Sequence, residues 1–154
     1  MPELPEVETL RRDLDKEFTG KRIKTVEVTG KRSVRRHPTA KELTSRVEGR
    51  RLVAVERRGK YLLLRLDAPA SGGARATRRG DVVVIHLGMS GQLLRATGRD
   101  PAVAHTHMVM YFAGAPQLRF VDPRTFGEVF VSAPDEIEAR IPELAHLGFD
   151  PVED

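Results

Sequence analysis

The sequence has no cysteine, which excludes disulfide bonds and any thiolate zinc site within its 154 residues. It has no tryptophan, and aromatic residues make up only 5% of it, so valine, leucine and isoleucine must fill most of any core. No apolar run approaches the roughly 20 residues of a membrane-spanning helix, and the acidic N-terminus lacks the features of a signal peptide. These absences predict a protein with no membrane segment, and they fit a reducing cytoplasm.

Charge is unevenly placed along a chain whose length suits one domain over residues 1–154. The net charge is +4. Residues 1–60 contain 17 Lys or Arg against 10 Asp or Glu, whereas residues 61–154 contain 9 against 12. A basic N-terminal half favours a polyanionic partner such as a nucleic acid, although many basic proteins are merely soluble.

The spacing of apolar residues predicts few helices and many strands. Apolar positions from Val7 to Phe18 share one helical face, after a Pro5 that can open the helix and before a Gly20 that can end it. The remaining elements are helices at about 40–48 and 134–141 and strands at 22–29, 51–57, 60–66, 82–87, 92–96, 107–113, 117–122 and 127–132. This order predicts a mainly β fold with flanking helices, an antiparallel β-sandwich of about eight strands with two or three helices.

The N-terminus offers an unusual reactive group. A free α-amine titrates at about 7.7–8.0, against about 10.4 for lysine, so part of a free Pro2 amine would be unprotonated near neutral pH. Such an amine can attack a carbonyl or anomeric carbon and form an iminium, and the Glu3 carboxylate could move the proton. This chemistry requires removal of Met1, since otherwise the Pro2 nitrogen is an amide. The other interpretation is that Pro2 merely follows the initiator methionine.

One lysine and three histidines are further candidates. Lys60, in R-R-G-K-Y, suits a phosphate contact or, equally, a solvated hairpin tip. His86 ends a buried apolar strand, where a satisfied core histidine is more common than a ligand. His105 and His107 lie two residues apart, a spacing that would place both on the same face of a strand. Two histidines without a third ligand predict no metal site.

Two turns carry large side chains that could enter a DNA stack. Met89 lies between glycines in G-M-S-G, while Arg124 and Phe126 lie in V-D-P-R-T-F-G. An apolar side chain can insert between bases, and a guanidinium can hydrogen-bond the base edge left unpaired when a nucleotide is flipped out. The alternative is an ordinary proline-containing turn with Phe126 in the core.

These segments together resemble one family. M-P-E-L-P-E-V-E-T-x-R-R, R-R-G-K-Y-L-L-L, H-L-G-M-S-G and D-P-R-T-F-G occur in this order in bacterial formamidopyrimidine-DNA glycosylases. The resemblance covers nearly the whole chain. The related endonuclease VIII branch usually has glycine at the fourth position, so Leu4 favours the formamidopyrimidine branch.

The resemblance implies a role for each candidate. Pro2 would be the Schiff-base nucleophile that displaces an oxidised purine such as 8-oxoguanine and cleaves the abasic strand by β,δ-elimination. Glu3 would be the acid and base at the deoxyribose, and Lys60 would bind phosphate and assist elimination. The residues implied at the DNA are Met89, Arg124 and Phe126 in the void left by the flipped lesion, with Arg124 reading the opposite cytosine, and His86 and His107 near the DNA-facing surface.

The chain also departs from the family pattern. Family members are roughly twice as long and carry a helix–two-turn–helix region and a zinc finger with four cysteines, neither of which is in this sequence. We therefore expect an isolated N-terminal catalytic domain, natural or truncated, with no cofactor of its own, since zinc is implied only for the missing region. Weak DNA binding and impaired turnover should follow from the missing phosphate contacts. Thr125 stands where arginine is common.

The sequence leaves three functions open. The first is a DNA glycosylase and AP lyase that acts on duplex DNA with an oxidised purine or abasic site, as a monomer in the bacterial cytoplasm near the nucleoid. The second is a non-enzymatic module that binds damaged DNA. The third is an N-terminal-proline enzyme for small carbonyl compounds, which gives no reason for the large side chains at the two turns.

Overall fold

A computed structural model describes residues 4–68 and 80–141 of the chain. The small residues of 68–80 predict a loop, and most of it lies outside these residues, as do Pro2, Glu3 and the tail after residue 141. The helices are α1 (Leu4–Phe18), α2 (Ala40–Val47) and the short α3 (Ile137–Arg140), with 3₁₀ turns at Lys31–Val34 and Pro134–Glu136. The strands are β1 (Ile23–Val28), β2 (Leu52–Arg58), β3 (Tyr61–Leu66), β4 (Val82–His86), β5 (Gln92–Ala96), β6 (Thr106–Phe112), β7 (Gln117–Val121) and β8 (Glu128–Ser132).

The eight strands form two antiparallel sheets of four, in the orders β1-β6-β7-β5 and β2-β3-β4-β8. Side chains from both sheets meet in one hydrophobic cluster, for example Ile85 from the second sheet and Met108 and Phe120 from the first. The predicted β-sandwich with flanking helices is confirmed. Each strand lies within one residue of its predicted bounds because apolar runs and glycine turns mark both ends.

Helix α1 closes one side of this core. Val7, Leu14 and Phe18 are buried along its inner face, and the Phe18 ring lies 4.6 Å from the ring of Phe112. Burying side chains of this size contributes about 1.5–3 kcal/mol each. In the described part of the chain, no helix is long and apolar enough to cross a membrane.

Thr39 and Glu42 have the sequence spacing of a capping box before α2, but that box forms only in part. The Thr39 hydroxyl accepts a hydrogen bond from the Glu42 backbone N–H at 3.2 Å. The Glu42 carboxylate lies instead 2.6 Å from Nδ1 of the buried His37, whose Nε2 accepts from the Val131 N–H at 3.0 Å. Glu42 thus orients His37, whose ring accepts a hydrogen bond from a backbone N–H of β8.

The connection between β5 and β6 departs from the sequence prediction. His105 lies in a turn with φ of 64° rather than in the strand, so it does not share a strand face with His107. The connecting loop runs along β7, where the buried Arg119 donates to the carbonyl of Pro101 at 2.8 Å and that of Thr97 at 3.3 Å. A buried guanidinium therefore fixes the loop that leads into His107.

Candidate functional site

Three of the predicted segments emerge from one end of the second sheet. Tyr61 begins β3, His86 ends β4 and Glu128 begins β8, and these residues are register neighbours across the sheet. The Tyr61 and His86 rings lie 4.5 Å apart. Lys60 immediately precedes Tyr61, the turn 88–91 follows His86, and the D-P-R-T-F-G loop leads into Glu128. The sheet order therefore brings together segments far apart in sequence.

Large side chains are exposed at this end. Met89 and Phe126 are each 48% exposed, and the exposed Arg124 places its guanidinium carbon 5.3 Å from the centre of the Phe126 ring. Phe126 is therefore not part of the core. An exposed arginine stacked on an exposed ring presents an apolar surface together with hydrogen-bond donors.

One buried carboxylate joins the two turns. The side chain of Asp122 is fully buried. Its Oδ1 accepts from the Ser90 hydroxyl at 2.6 Å and the Arg124 N–H at 3.3 Å, and its Oδ2 accepts from the Gly127 N–H at 2.8 Å. Since Ser90 follows Met89, the same carboxylate sets the position of Met89 and of the loop with Arg124.

Close backbone contact explains two glycines in these turns. Gly88 has φ of 64°, and a Cβ there would lie 2.7 Å from the backbone nitrogen of Gly127. A Cβ on Gly127 would lie 2.6 Å from the carbonyl oxygen of His86. Any larger residue would push the two turns apart, so G-M-S-G and D-P-R-T-F-G need these glycines for packing.

His107 supports the same loop from the other sheet. Its Nε2 lies 2.7 Å from the carbonyl oxygen of Asp122, and because a carbonyl only accepts, Nε2 carries the hydrogen. The ring is half-buried and packs so closely on Gly30 that a Cβ there would lie 2.1 Å from Nδ1. His107 thus lies beneath the loop that carries Arg124; its contact with DNA stays a prediction.

Two arginines of the basic segment before α2 bind the protein itself. Arg35 donates to the carbonyl of Gly127 at 2.9 Å. Arg36 makes two hydrogen bonds of 2.9 Å to the Glu128 carboxylate and lies 4.5 Å from the Phe130 ring. Part of the positive charge that suggested a polyanionic partner therefore stabilises the base of the D-P-R-T-F-G loop.

Glu8 lies at the centre of an arginine cluster between α1 and the β2–β3 hairpin. Its carboxylate accepts from Arg57 at 2.8 Å, Arg12 at 2.8 Å and Arg11 at 2.9 Å. Hydrogen bonds from Arg11, and then from Arg57 and Arg12, outweigh the opposing effect of burial and lower the pKa of Glu8 to about 2. Glu8 is therefore ionised throughout the physiological range.

This depressed pKa predicts a pH-dependent stability. The folded-state pKa lies below the ordinary value of 4.5, so the stabilisation is complete above pH 4.5 and is lost as the pH falls toward 2. This stabilisation of the folded state by ionised Glu8 is at most about 3 kcal/mol, because each unit of pKa corresponds to about 1.4 kcal/mol. Solvent screening of the partly exposed arginines lowers it further. In urea unfolding, the difference between the wild-type chain and Glu8→Gln should shrink by up to about 2 kcal/mol from pH 7 to pH 3.

The control for that measurement is Glu56→Gln, because Glu56 forms an exposed ion pair with Arg65 on the same hairpin. Its effect on the free energy of unfolding should be small at both pH values. A Glu8→Gln difference that does not change with pH would contradict the depressed pKa.

A groove of about 400 Å³ lies beside the start of α1. Glu6, Val7 and Leu10 line it from the helix, and Met89 lines it from the turn 88–91. The carboxylate of Glu6 is exposed at the helix N-terminus, where the helix dipole favours negative charge. The groove places a polar group and apolar walls directly next to the exposed Met89.

The sequence indicates only some of the contacts that hold this site together. Asp122 lies two residues before Arg124, a spacing typical of aspartates that bind a nearby backbone N–H, but its bond to Ser90 joins segments with no sequence relation. The Glu8–Arg57 pair has no local signal at all. Pro2 and Glu3 precede the first described residue, so their predicted roles have no geometry here.

A family model for the formamidopyrimidine-DNA glycosylase N-terminal domain matches residues 1–129. The chain belongs to the formamidopyrimidine-DNA glycosylase family. It is 47% identical to the formamidopyrimidine-DNA glycosylase of Salinispora arenicola over 99% of its own length and 50% of that protein. It is 42% identical to the Nocardia farcinica glycosylase over 99% of its own length and 52% of that protein.

Solved glycosylase structures share the fold. The Lactococcus lactis glycosylase bound non-covalently to DNA containing an AP site superposes with a TM-score of 0.76 at 31% identity, over 92% of this chain and 49% of that one. The same enzyme with DNA containing Fapy-dG gives a TM-score of 0.76 at 30% identity, over 92% and 48%. The chain thus spans about half the length of the glycosylases it matches.

The zinc that the resemblance implies does not fit the residues of this chain. The sequence has no cysteine, and the described residues contain no group of three or more His, Asp or Glu that could hold a metal ion. No step of the chemistry below uses a metal.

Proposed function

We propose that this chain is the catalytic N-terminal domain of a base-excision repair glycosylase that removes oxidised purines from duplex DNA and cleaves the resulting abasic strand. The proposal rests on one observation above all. Lys60, Met89, Arg124 and Phe126 come from three segments that meet at one end of the β-sandwich. An enzyme for small carbonyl compounds would not need these large and cationic side chains at one end of the fold.

The proposed chemistry starts at the N-terminal amine once Met1 is removed. The Pro2 nitrogen attacks C1′ of the damaged nucleotide, the bond from C1′ to the base breaks, and the base leaves with a proton. Glu3 is the proposed proton donor and acceptor at the deoxyribose. Protonation of O4′ by Glu3 then breaks the C1′–O4′ bond and leaves an iminium at C1′. The iminium acidifies C2′, so loss of a C2′ proton expels the 3′ phosphate, and a second elimination expels the 5′ phosphate.

Lys60 is the proposed phosphate ligand in these eliminations. It lies at the tip of the β2–β3 hairpin, directly after Gly59, whose φ is 59°. A lysine ammonium stabilises the negative charge that develops on a departing phosphate.

The exposed side chains suit an extruded nucleotide. Met89 and Phe126 can fill the space that a flipped base leaves in the stack, and Arg124 can hydrogen-bond the orphaned partner base. The groove beside Met89 is the proposed place for part of the extruded nucleotide. The Lactococcus lactis relatives that match this chain were solved with damaged or abasic DNA, which supports the same class of partner.

Lys60→Ala should lower the salt dependence of DNA binding. Loss of one phosphate contact reduces the slope of log K against log salt by about one. Fluorescence anisotropy with an abasic duplex between 25 and 150 mM salt would measure this slope. Lys24→Ala is the matched control, because Lys24 lines a groove at the opposite, β6–β7 hairpin end of the sandwich. An unchanged slope for Lys60→Ala would mean that Lys60 contacts no phosphate.

Phe126→Ala should weaken binding to lesion duplex more than binding to single strands. An exposed aromatic ring that enters a base stack contributes about 1–3 kcal/mol, or roughly tenfold to a hundredfold in affinity. Val53→Ala, which truncates an equally exposed apolar side chain on β2, should change neither affinity. Equal losses on duplex and single strands would contradict the insertion of Phe126.

The second candidate is a module that binds damaged DNA without cutting it, since the turns with Met89, Arg124 and Phe126 would serve either role. Incubation with abasic duplex and borohydride separates the two. The enzyme predicts a covalent adduct that is lost when a residue left in front of Pro2 turns its nitrogen into an amide. Intact duplex binding with no adduct at any salt concentration would contradict the enzyme and leave the binding module. Activity on small carbonyl compounds without DNA would instead support the third function.

A further inference from the structure

Helix α1 follows Pro2 and Glu3 in sequence, and the β2–β3 hairpin carries Lys60. An ion pair between Glu8 and Arg57 joins the helix to the hairpin. Helix α1 begins at Leu4, so Glu8 lies about one turn from the helix start that follows Pro2 and Glu3. The side chain of Glu8 is only 13% exposed, and its Oε1 accepts from Arg57 Nε at 2.8 Å. The contact therefore joins the first turns of α1 to strand β2.

Arg57 continues this connection to the tip of the hairpin. Its side chain is 2% exposed, and its Nη1 donates to the carbonyl oxygen of Gly59 at 3.1 Å. Arg57 is also paired with Leu62 across the hairpin. A single guanidinium thus bonds the helix through one nitrogen and the residue before Lys60 through another.

A second arginine strengthens the same junction from the helix side. Arg11 donates through Nε and Nη2 to Glu8 and through Nη1 to the carbonyl of Val55 at 3.2 Å. The hairpin strand β2 is therefore fixed to α1 at Val55 and at Arg57. Rotation of the hairpin against the helix would break hydrogen bonds to a carboxylate that is only 13% exposed, which is costly.

We propose that Glu8 and Arg57 are positioning residues that hold Lys60 in place relative to the first turns of helix α1. This inference rests on the proposed function, because it assigns a purpose to a fixed junction between the helix that follows Pro2 in sequence and the hairpin that carries Lys60. Correct placement of reacting groups accounts for large rate factors, and a misplacement of about 1 Å can cost about a hundredfold. Neither Glu8 nor Arg57 needs to touch DNA in this role.

Glu8→Gln tests the pair with two readouts. Hydrogen exchange of the amides at residues 58–61 should become about tenfold faster, while the buried amides of β3 and β4 keep their protection. The rate of borohydride-trapped adduct formation with an abasic duplex, measured at low salt where binding is strongest, should fall by about tenfold or more. The dissociation constant for the same duplex should change by less than about twofold, because Glu8 contacts no phosphate.

The controls separate positioning from general destabilisation. Glu56→Gln removes a carboxylate from an exposed ion pair on the same hairpin and should alter none of the three quantities. Arg57→Lys keeps the charge but loses the planar fork whose separate nitrogens reach Glu8 and Gly59, so it should slow trapping as Glu8→Gln does. It also replaces Glu8→Gln should that variant fail to fold.

The outcomes are distinct for this inference and for the proposed function. Adduct formation at the wild-type rate in Glu8→Gln and Arg57→Lys, or unchanged exchange at residues 58–61, would overturn the positioning role. Equal losses in trapping rate and in duplex affinity would also overturn it, because they indicate a general loss of structure. A wild-type chain that binds duplex but never forms an adduct would overturn the proposed function and the catalytic purpose of the pair, while the exchange data would still decide whether Glu8 fixes the hairpin.

Discussion

Replacing Asp122 with alanine should destabilise the folded chain by about 3 to 5 kcal/mol, because each buried donor left without an acceptor costs about 1–3 kcal/mol. The substitution removes the acceptor of the Ser90 hydroxyl and of the Gly127 N–H. It also removes one of the two acceptors of the Arg124 N–H, which keeps its 3.3 Å contact with the Ser90 oxygen. The bond from the Gly127 N–H is buried, so the loss of its acceptor falls at the costly end of that range. The turn with Met89 would also lose its side-chain tie to the loop with Arg124 and Phe126.

Thermal and urea unfolding measure this effect, with a loss of roughly 10 °C in Tm for a chain of this size. Asp100→Ala is the matched control, because Asp100 also accepts from a backbone N–H and a hydroxyl, those of Thr97, but on the exposed surface. It should cost about 1 kcal/mol or less. Duplex binding by Asp122→Ala, measured at a temperature where it is folded, should weaken as in Phe126→Ala. Wild-type stability and binding would show that Asp122 does not hold the two turns.

Blocking the amine of Pro2 should abolish adduct formation while DNA binding continues. A residue left in front of Pro2 converts its nitrogen to an amide, which has no free electron pair with which to attack C1′. The trapped adduct should then fall to the level of a reaction without protein. Duplex affinity should stay within about twofold, because the phosphate contacts are unchanged.

A cleavable N-terminal fusion supplies the internal control. The uncleaved fusion should form no adduct, and protease cleavage that leaves Pro2 as the first residue should restore it in the same sample. Equal adduct formation before and after cleavage would assign the nucleophile to another group, and a lysine such as Lys60 would be the first to test.

Much of the architecture could be predicted from the sequence because its signals are local. Apolar runs such as V-V-V-I-H-L and turn residues such as Gly59 mark each strand and its ends. The first helix face from Val7 to Phe18 was equally visible, and both residues are buried as expected. The order of motifs along the chain then indicated the family, which the family model and the relatives show.

The long-range partners could not be predicted, since they depend on how elements pack. Nothing in R-R-H-P indicates that Arg35 and Arg36 bind the base of the D-P-R-T-F-G loop, more than 90 positions later. The spacing of His105 from His107 fits one face of a strand, but the positive φ of His105 places it in a turn. Asp122 illustrates the same limit, because a carboxylate in a turn motif gives no sign that it also binds Ser90.

The most direct test of the account is to locate the covalent bond. The chain with Met1 removed is incubated with abasic duplex and borohydride, the adduct is digested with a protease and a nuclease, and the modified peptide is sequenced by mass spectrometry. We predict that the deoxyribose remnant lies on the N-terminal peptide, at the nitrogen of Pro2. A remnant on Lys60 or another lysine, or no adduct from a chain that binds the duplex, would contradict it.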